Sequence, residues 1–303
     1  MTQQPLESVC AVFVVYFPDQ GFIGRLKQLL PQVARLVIID NTPPEDRELD
    51  LKGAIQGMQK VSLVENQFNT GIAVALNQGL AFAAGEGYKW IVTLDQDTQL
   101  GPEMVLTLFK LSEACESEPI VIGSNYFDPQ ANRTKVPVGS RDDDFLEQKT
   151  VITSGSLVNV SMALAIGGFR DDYFIDQVDH EFCLRGRARG YTIFISRKPL
   201  MTHSVGRLGG VRLPFMGTLP NHPPLRKYYI ARNTIVTVAN YWRSEPVWCI
   251  KRLMRLSLGL FEMTLLEPHR WTKARAFFAG IADGFSKRMG SCQRAWLHKE
   301  ESN

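Results

Sequence analysis

The stretch Trp90-Ile91-Val92-Thr93-Leu94-Asp95-Gln96-Asp97-Thr98 joins a short apolar run to two carboxylates. Its first five residues are typical of a buried strand, because aromatic, β-branched and aliphatic side chains follow one another without a charge. Asp95 and Asp97 are separated by one residue, so both carboxylates can turn toward the same hard divalent cation. The stretch therefore predicts a core strand that ends at a ligand or metal site.

Predicted strands and helices alternate on both sides of this stretch. Apolar, β-branched runs typical of strands occupy residues 9–17, 36–40, 61–64, 90–95 and 120–126. Apolar residues recur at helical spacing between those runs, in residues 24–32, 71–85 and 102–117. This alternation is typical of an α/β fold with a mostly parallel sheet, where ligands bind beyond the carboxyl ends of the strands. We therefore expect the functional side chains at those ends: Tyr16, Asp40, Asn41, Glu65, Asp95 and Asp97.

The second half of the chain predicts a change of architecture. Residues 128–149 are polar and are predicted to form a loop, followed by strands at 151–160 and 192–195 with a helix at 178–189 between them. Glycine and proline recur between residues 206 and 224, which indicates a linker or a lid. Helical patterns then occupy 225–241, 247–266 and 271–288. We predict an α/β domain over residues 1–225, with halves 1–127 and 128–225, and a basic helical region over 226–303.

The composition places the chain among folded globular proteins. Hydrophobic residues make up 45% of the 303 residues and charged residues 21%, which excludes disorder and a coiled-coil rod. Five scattered cysteines without a CxxC pair indicate reduced thiols, and no basic residue precedes the first apolar run as a secretory signal would require. The longest apolar stretch, 253–266, is too short for a membrane span. We expect a cytoplasmic protein.

Charge is distributed unevenly along the chain. The formal net charge is +3, with acids in excess before residue 226 and Lys and Arg in excess after it. Basic, aromatic-containing helices suit an anionic membrane surface, and no nucleic-acid-binding motif is present. Packing of these helices on their own domain, or at a dimer interface, is the alternative.

Two further motifs carry possible chemistry. Asn69 to Gly79 (Asn-Thr-Gly-Ile-Ala-Val-Ala-Leu-Asn-Gln-Gly) places small residues at a helix start, which suits either phosphate binding or tight packing on the sheet. Residues 174–185 place Asp176, Asp179 and Glu181 at another helix start. The helix dipole alone favours acids there, whereas a carboxylate near a hydroxyl group would act as a general base.

Taken together, these motifs resemble those of the inverting family 2 glycosyltransferases, which have a GT-A (Rossmann-like) fold with a mixed, mostly parallel sheet. Within that family the chain is most similar to bacterial rhamnosyltransferases. The matching strings run in family order from residue 9 to about 235. They are Val14-Val15-Tyr16, Ile38-Ile39-Asp40-Asn41, Asn69-x-Gly71 through Asn77-x-Gly79, Leu94-Asp95-Gln96-Asp97-Thr98, Ser154-Gly155, Asp176-x-x-Asp179-x-Glu181-x-Cys183-Leu184-Arg185 and Tyr229-x-x-Arg232-Asn233.

The resemblance implies a nucleotide-sugar site in the first half of the chain. Asp40 would hydrogen-bond the pyrimidine and Tyr16 would form the wall of the base pocket. The nucleotide-facing loop and helix would contribute Asn69, Gly71 and Asn77. In the DxD motif, Asp95 and Gln96 would lie near the nucleotide sugar. Asp95 and Asp97 would hold Mg²⁺ or Mn²⁺, with Asp97 as the direct ligand at the diphosphate.

The resemblance also implies roles for residues later in the chain. Asp179 aligns with the catalytic base of the family, but Val178 occupies a position that is usually Glu, so Asp176 could share the role. His203 would be a metal or diphosphate ligand, with a structural hydrogen bond as the alternative. Arg207 and Arg232 would pair with phosphate, with structural ion pairs as their alternative.

The implied reaction is a single displacement that inverts the anomeric centre. The donor would be dTDP-L-rhamnose. The acceptor would be a glycan or glycolipid of a lipopolysaccharide core, O-antigen or similar surface polymer. We expect peripheral association with the cytoplasmic face of the inner membrane, and the chain could form a homodimer.

Two other functions fit parts of the same sequence. The string Asp95-Gln96-Asp97-Thr98 is similar to the DxDxT nucleophile motif of haloacid dehalogenase-type phosphatases, although about three strand units precede it here and that motif normally ends the first strand. A non-catalytic sugar-nucleotide-binding scaffold is the third hypothesis. A processive synthase is disfavoured because Gln293-Arg294-Ala295-Trp296 does not match its Gln-x-x-Arg-Trp motif.

Overall fold

The fold is taken from a computed structural model, which describes residues 7–129, 132–138, 144–203, 212–213, 217–218 and 221–299. The strands are β1 (Val9–Val15), β2 (Arg35–Asp40), β3 (Val61–Glu65), β4 (Trp90–Asp95), β5 (Gln99–Leu100), β6 (Val121–Asp128), β7 (Arg133–Thr134), β8 (Phe145–Glu147), β9 (Ser156–Asn159), β10 (Ile193–Thr202), β11 (Arg212–Leu213) and β12 (Gly217–Thr218). The helices are α1 (Phe22–Leu29), α2 (Leu51–Ala54), α3 (Ile72–Gly85), α4 (Met104–Ala114), α5 (Val160–Ala165), α6 (Val178–Ala188), α7 (Pro224–Tyr241), α8 (Pro246–Leu266), α9 (Arg270–Phe285) and α10 (Ala295–Lys299).

One mixed sheet organises the first two thirds of the chain. Its order is β3-β2-β1-β4-β9-β6-β10-β5, with β7 on β6 and β8 on β10. Strands β3, β2, β1 and β4 are parallel, and β6 is parallel to β10, whereas β9 runs antiparallel to both β4 and β6. The predicted mixed, mostly parallel sheet is therefore confirmed. The ends of β1, β2 and β4 lie side by side, with Val14 in register with Asp95 and Val15 with Asp40.

The core lies on both faces of the sheet because successive side chains of a strand alternate between faces. On one face Val12 packs in a cluster with Leu76 of α3, and on the other Phe13 packs with Leu26 of α1. Helix α3 lies so close to β1 that a Cβ atom at Gly79 would overlap the side chain of Val12. The small residues of the 69–79 motif therefore serve tight packing on the sheet, which was one of the two predicted roles.

Two predicted strands have different bounds in the structure. Residues 151–160 form only the short strand β9, because Gly155 has φ +69° and the side chain of Asn159 accepts a hydrogen bond from the backbone N–H of Met162 and caps α5. The strand predicted at 192–195 continues to Thr202, with register shifts beside Pro199 where it pairs with β6. The predicted loop at 128–149 contains the short strands β7 and β8.

Among the described residues no helix is long and apolar enough to cross a bilayer.

Helix α7 packs against the segment Tyr173 to Gln177, which precedes α6. Phe174, Asp176 and Gln177 have φ values of 63°, 63° and 64°, a region that side-chain-bearing residues rarely adopt. Such conformations cost about 1–3 kcal/mol each and persist only where surrounding contacts enforce them. We therefore expect contacts from helix α7 to stabilise the backbone of this segment.

The carboxamide of Asn233 supplies those contacts. Its Nδ2 donates to the backbone carbonyl oxygens of Tyr173 at 2.8 Å, Ile175 at 2.7 Å and Asp176 at 3.0 Å. The hydroxyl of Tyr173 forms a further hydrogen bond of 2.9 Å with Thr237, one turn along the same helix. The C-terminal helical region thus holds the backbone that leads into α6.

Arg232 has a structural role, which corrects its predicted role as a phosphate partner. The residue is 0% exposed, and its guanidinium donates to the carbonyl oxygens of Gly290 at 2.6 Å, Tyr173 at 3.1 Å and Asp172 at 3.3 Å. It also lies over the ring of Tyr229, 4.8 Å from the centroid. Because its donors are used on backbone, Arg232 fixes the same segment as Asn233.

We predict that Asn233→Ala lowers the free energy of unfolding by about 2–3 kcal/mol, because three buried carbonyl groups lose their shared donor. Backbone amide hydrogens of residues 173–177 should also exchange faster with deuterated solvent. Asn240→Ala is the matched control, since Asn240 is an exposed residue of the same helix and its removal should cost under about 0.5 kcal/mol. Equal unfolding free energies and equal exchange for the two variants would contradict this role.

Candidate active site

Two carboxylates and one imidazole meet beyond the end of β4. The ligand atoms of Asp95, Asp97 and His203 all lie within 4.8 Å of one another, with Asp97 exposed and the other two half-buried. The chain turns after Asp97 into β5, which pairs antiparallel with Met201 and Thr202 at the end of β10. This pairing brings His203 to the acids, although more than a hundred residues separate them along the chain.

The donor set of this cluster fits a divalent cation. Carboxylate oxygens suit Mg²⁺ and Mn²⁺, and an imidazole is a common additional ligand for the latter. Burial raises the pKa of Asp95 to about 6; the charges of Asp97 and Asp179 raise it as well, while His203 opposes them. A bound cation would relieve the repulsion between the carboxylates.

Ser154 and Thr98 hold the turn that carries the two acids. The Ser154 hydroxyl accepts a hydrogen bond of 3.2 Å from the backbone N–H of Asp95 and lies 2.5 Å from the Thr98 hydroxyl. Both side chains are buried. Ser154, from the Ser154-Gly155 string, therefore stabilises the turn after Asp95. Its contact with Thr98 joins residues that lie 56 positions apart.

The side chain of Gln96 is hydrogen-bonded to the end of β1, and its predicted contact with the nucleotide sugar stays a prediction. Its Oε1 accepts from the backbone N–H of Tyr16 at 2.7 Å, and its Nε2 donates to the Tyr16 carbonyl oxygen at 3.1 Å. The Arg25 side chain donates to the Gln96 backbone carbonyl oxygen at 2.6 Å. Gln96 thereby ties the Asp95 turn to the end of β1 and places the half-exposed ring of Tyr16.

A small cavity of about 90 Å³ lies between the ends of β1 and β2. It is lined by Phe17, Asp40, Thr42 and Arg47, among others. The Asp40 carboxylate accepts from the backbone N–H of Thr42 at 2.9 Å and pairs with Arg47 at 3.2 Å. With Tyr16 beside it, this is the predicted location of the base pocket, an aromatic side chain next to a fixed carboxylate.

The predicted nucleotide-facing loop is held by amide side chains. Asn69 Oδ1 accepts from the backbone N–H of Gly71 at 2.9 Å, and Asn41 Nδ2 donates to the Gly71 carbonyl oxygen at 3.1 Å. Gly71 has φ +85°, and a Cβ atom there would lie 2.7 Å from the carbonyl oxygen of Phe174. A glycine is therefore required where this loop meets the strained segment before α6.

The side chain of Asn77 is hydrogen-bonded to protein, mainly to backbone, and its predicted contact with the nucleotide stays a prediction. Its carboxamide accepts from the Phe169 N–H and donates to the Phe169 carbonyl oxygen, both at 2.7 Å, and donates to Asp171 at 2.5 Å. These bonds use both ends of the amide. Asn77 joins α3 to the chain that leads into the segment at 173–177.

The two candidate bases have different surroundings. Asp176 is ion-paired with Arg226 at 3.3 Å. Burial raises the pKa of Asp176, whereas the charge and hydrogen bonds of Arg226 lower it. Asp179, in the first turn of α6, accepts a hydrogen bond of 2.7 Å from the backbone N–H of His180, and no Lys or Arg of the described residues lies within ion-pair distance of it. Asp179 is therefore the more available carboxylate.

Asp179 acts electrostatically on the metal-capable cluster, because its negative charge contributes to raising the pKa of Asp95. Burial lowers the pKa of His180, the next residue, to about 4, so that this imidazole stays neutral near pH 7. The arrangement combines a carboxylate able to accept a proton with a site able to hold a cation.

Sequence reasoning missed Arg226, which interacts with Asp176 and with the acids of the metal-capable cluster. Arg226 is ion-paired with Asp176, and the negative charges of Asp95 and Asp97 contribute to raising the pKa of its guanidinium. The only sequence feature that could have indicated it is a basic residue at the start of a predicted helix. Arg207, the other predicted phosphate partner, lies outside the described residues.

Comparison with known proteins agrees with this site. The model of the glycosyl transferase family 2 matches residues 11–165. A curated dTDP-rhamnosyl transferase, RfbF of Shigella flexneri, is 28% identical over 279 residues, which is 86% of this chain and 88% of that protein.

Solved structures share the fold at low sequence identity. The S. aureus TarS 1–349 structure is 14% identical with a TM-score of 0.58, covering 97% of this chain and 87% of that one. The structure of GalNAc-T7 with UDP, GalNAc and Mn²⁺ is 12% identical with a TM-score of 0.60, covering 99% of this chain and 57% of that one. These likenesses confirm the predicted GT-A fold. With its family match spanning more than half of its length, the chain belongs to the family 2 glycosyltransferases.

Proposed function

We propose that this enzyme transfers L-rhamnose from dTDP-L-rhamnose to a hydroxyl group of a bacterial surface glycan or glycolipid, with inversion at the anomeric carbon. The observation that carries the proposal is the cluster of Asp95, Asp97 and His203, whose ligand atoms lie within 4.8 Å of one another and on which the charge of Asp179 acts. The curated relative that acts with dTDP-rhamnose supports the choice of donor.

In the proposed reaction the nucleotide lies at the ends of β1 and β2, with its base beside Asp40 and Tyr16. Asp179 takes the proton of the acceptor hydroxyl, and that oxygen forms a bond to the anomeric carbon of rhamnose from the side opposite the diphosphate. The bond between the anomeric carbon and the diphosphate oxygen breaks, and its electron pair leaves with dTDP. Mg²⁺ or Mn²⁺ held by Asp97, Asp95 and His203 would neutralise charge on the leaving group.

Asp176 has a different task in this proposal. Its ion pair with Arg226 places a guanidinium between the candidate base and the acids of the metal cluster. Arg226 is then positioned to add positive charge beside the departing diphosphate. Val178 occupies the position that is usually Glu in the family. The proposed reaction needs no base at that position, because Asp179 takes the proton.

We predict that Asp179→Asn lowers kcat by about 10²–10⁴-fold, the usual contribution of a general base, with little change in the Kd of dTDP-L-rhamnose. Asp176→Asn is the matched neighbour and should reduce kcat less, because it removes the partner of Arg226 and leaves the base. The measurement is transfer to a surface-glycan acceptor together with donor binding by calorimetry. Full activity of Asp179→Asn with an inactive Asp176→Asn would reverse the assignment of the base.

The other two functions predict different behaviour. A phosphatase would use Asp95 as a nucleophile, which disagrees with the membership of the chain in a glycosyltransferase family. A non-catalytic scaffold would bind the donor through Asp40 and lose nothing on mutation of Asp179. The Asp179→Asn variant therefore also separates transfer from simple binding.

We further propose that α8 contacts the anionic cytoplasmic face of the inner membrane. Large apolar side chains are exposed along the helix at spacings of three or four residues, namely Val247, Ile250, Met254, Leu258, Phe261 and Leu265. Its exposed charges are basic, Lys251 and Arg255, whereas Glu262 is buried. An apolar stripe with only basic charges beside it suits anionic lipid better than a second, equally basic copy of the helix.

We predict that Met254→Ser combined with Phe261→Ser weakens binding to phosphatidylglycerol-containing vesicles at least tenfold, because two exposed apolar side chains no longer enter the lipid. Leu164→Ser, which alters an exposed apolar residue of α5, is the matched control. Flotation with anionic and with neutral vesicles is the measurement. Absence of vesicle binding by the unmodified protein, with dimers that the double variant disrupts, would contradict membrane contact and favour a homodimer.

A further inference from the structure

A second cavity, of about 210 Å³, lies where α7, α8 and α9 meet. Asp176 and Gln177, from the strained segment before α6, contribute to its wall. The cavity therefore adjoins the segment that leads into α6, the helix that carries the candidate base. Its volume suits about one ring-sized group with an attached substituent rather than a whole oligosaccharide.

The wall of this cavity combines apolar side chains with cations and with three carboxylates, Asp176, Glu262 and Glu267, each of which is ion-paired. Ile230 of α7, Leu256 of α8 and Phe277 of α9 supply apolar surface, and Arg252 and Arg255 supply positive charge. Gly259 also lines the cavity, and a Cβ atom built there would meet nothing within 4 Å. The absence of a side chain at this position keeps part of the cavity open.

The two arginines differ in how their charge is balanced. Arg255 lies 3.4 Å from Glu262. Arg252 donates one hydrogen bond of 3.1 Å to the neutral Oε1 of Gln177 and lies 5.7 Å from the centroid of the Trp248 ring. Among the described residues no carboxylate lies within ion-pair distance of Arg252, and burial lowers its pKa. A half-buried guanidinium without an ion pair is costly unless a ligand supplies the missing anion.

We propose that this cavity binds a phosphate group of the acceptor and the apolar or ring-shaped group next to that phosphate. Arg252 is the residue that recognises the phosphate. The inference rests on the proposed function, since the hydroxyl that receives the sugar must reach Asp179. Arg252 is close enough for its charge to be felt at both Asp176 and Asp179. In this proposal a phosphate at Arg252 holds the acceptor on the side of the site that carries both acids.

The test measures binding of phenyl phosphate to the full chain by calorimetry, without divalent metal and with saturating dTDP, so that the donor site is filled. Benzyl alcohol is the comparison compound that keeps the ring and lacks the phosphate. Glucose 1-phosphate is the one that keeps the phosphate and replaces the apolar ring with a sugar. Phenyl phosphate should bind at least tenfold more tightly than benzyl alcohol. Arg252→Gln should weaken its binding at least tenfold and Arg252→Lys less, while the Kd of dTDP stays unchanged.

A second variant separates loss of the site from loss of folding. Gly259→Leu adds an isobutyl group at the cavity wall and improves helix propensity, so phenyl phosphate binding should fall at least tenfold while Tm is kept or raised. Gly24→Leu is the matched control, because Gly24 is an exposed residue of α1 with equally open space around it and does not line the cavity. In transfer assays Gly259→Leu should raise the acceptor KM more than it changes kcat.

The remaining outcomes are also decisive. Tighter binding of phenyl phosphate than of glucose 1-phosphate indicates a phosphate next to an apolar carrier, and the reverse order indicates a phosphate on the glycan; both support an anionic acceptor. Equal binding of phenyl phosphate and benzyl alcohol, or binding unchanged by Arg252→Gln and Gly259→Leu, would overturn the inference. Failure to bind dTDP or dTDP-L-rhamnose would instead contradict the proposed function itself.

Discussion

The hydrogen bonds from the Asn233 carboxamide to the carbonyl groups of Tyr173, Ile175 and Asp176 are the constraint on which the candidate site depends. Together with those of Arg232, they stabilise the costly backbone of the three residues with positive φ before α6. That segment carries Asp176, starts the helix that carries Asp179, and packs against Gly71 of the nucleotide-facing loop. In the proposed mechanism the C-terminal helices support catalysis, because α7 holds the segment that leads to Asp179 and α8 carries Arg252.

Much of the sheet could be predicted from the sequence because its strands are buried on both faces and read as apolar, β-branched runs. The strand Trp90–Asp95 has the bounds that the sequence predicts, and the other strands of the first half differ at their ends by a few residues. The short β9 and the long β10 were not predictable, since their limits follow from a positive φ at Gly155 and from pairing with β6. The division of the chain at residue 225 stays a prediction, and contacts from Arg226, Arg232 and Asn233 cross it.

The candidate site could be predicted where a local pattern dictates the chemistry and could not where the fold brings distant residues together. Asp95 and Asp97 follow from their spacing after a strand, and His203 joins them through the pairing of β5 with β10. The hydrogen bonds of Gln96, Asn77 and Arg232 to backbone could not be predicted, because the sequence is the same whether the partner of a polar side chain is a nucleotide or a backbone carbonyl. Only burial and hydrogen-bond partners distinguish the two, and the same limit concealed Arg226.

Binding of dTDP-L-rhamnose with and without Mg²⁺ or Mn²⁺, in the unmodified protein and in Asp97→Asn, is the most direct test of a metal-dependent donor site built on β4. Calorimetry should show tighter binding of dTDP-L-rhamnose than of UDP-sugars, and the metal should increase the affinity for dTDP-L-rhamnose at least tenfold. Asp97→Asn should abolish this effect of the metal. The control is His269→Asn, which alters an exposed histidine and should leave the effect unchanged. Donor binding that ignores both the metal and the Asp97 substitution would contradict the assignment of this cleft to the sugar diphosphate.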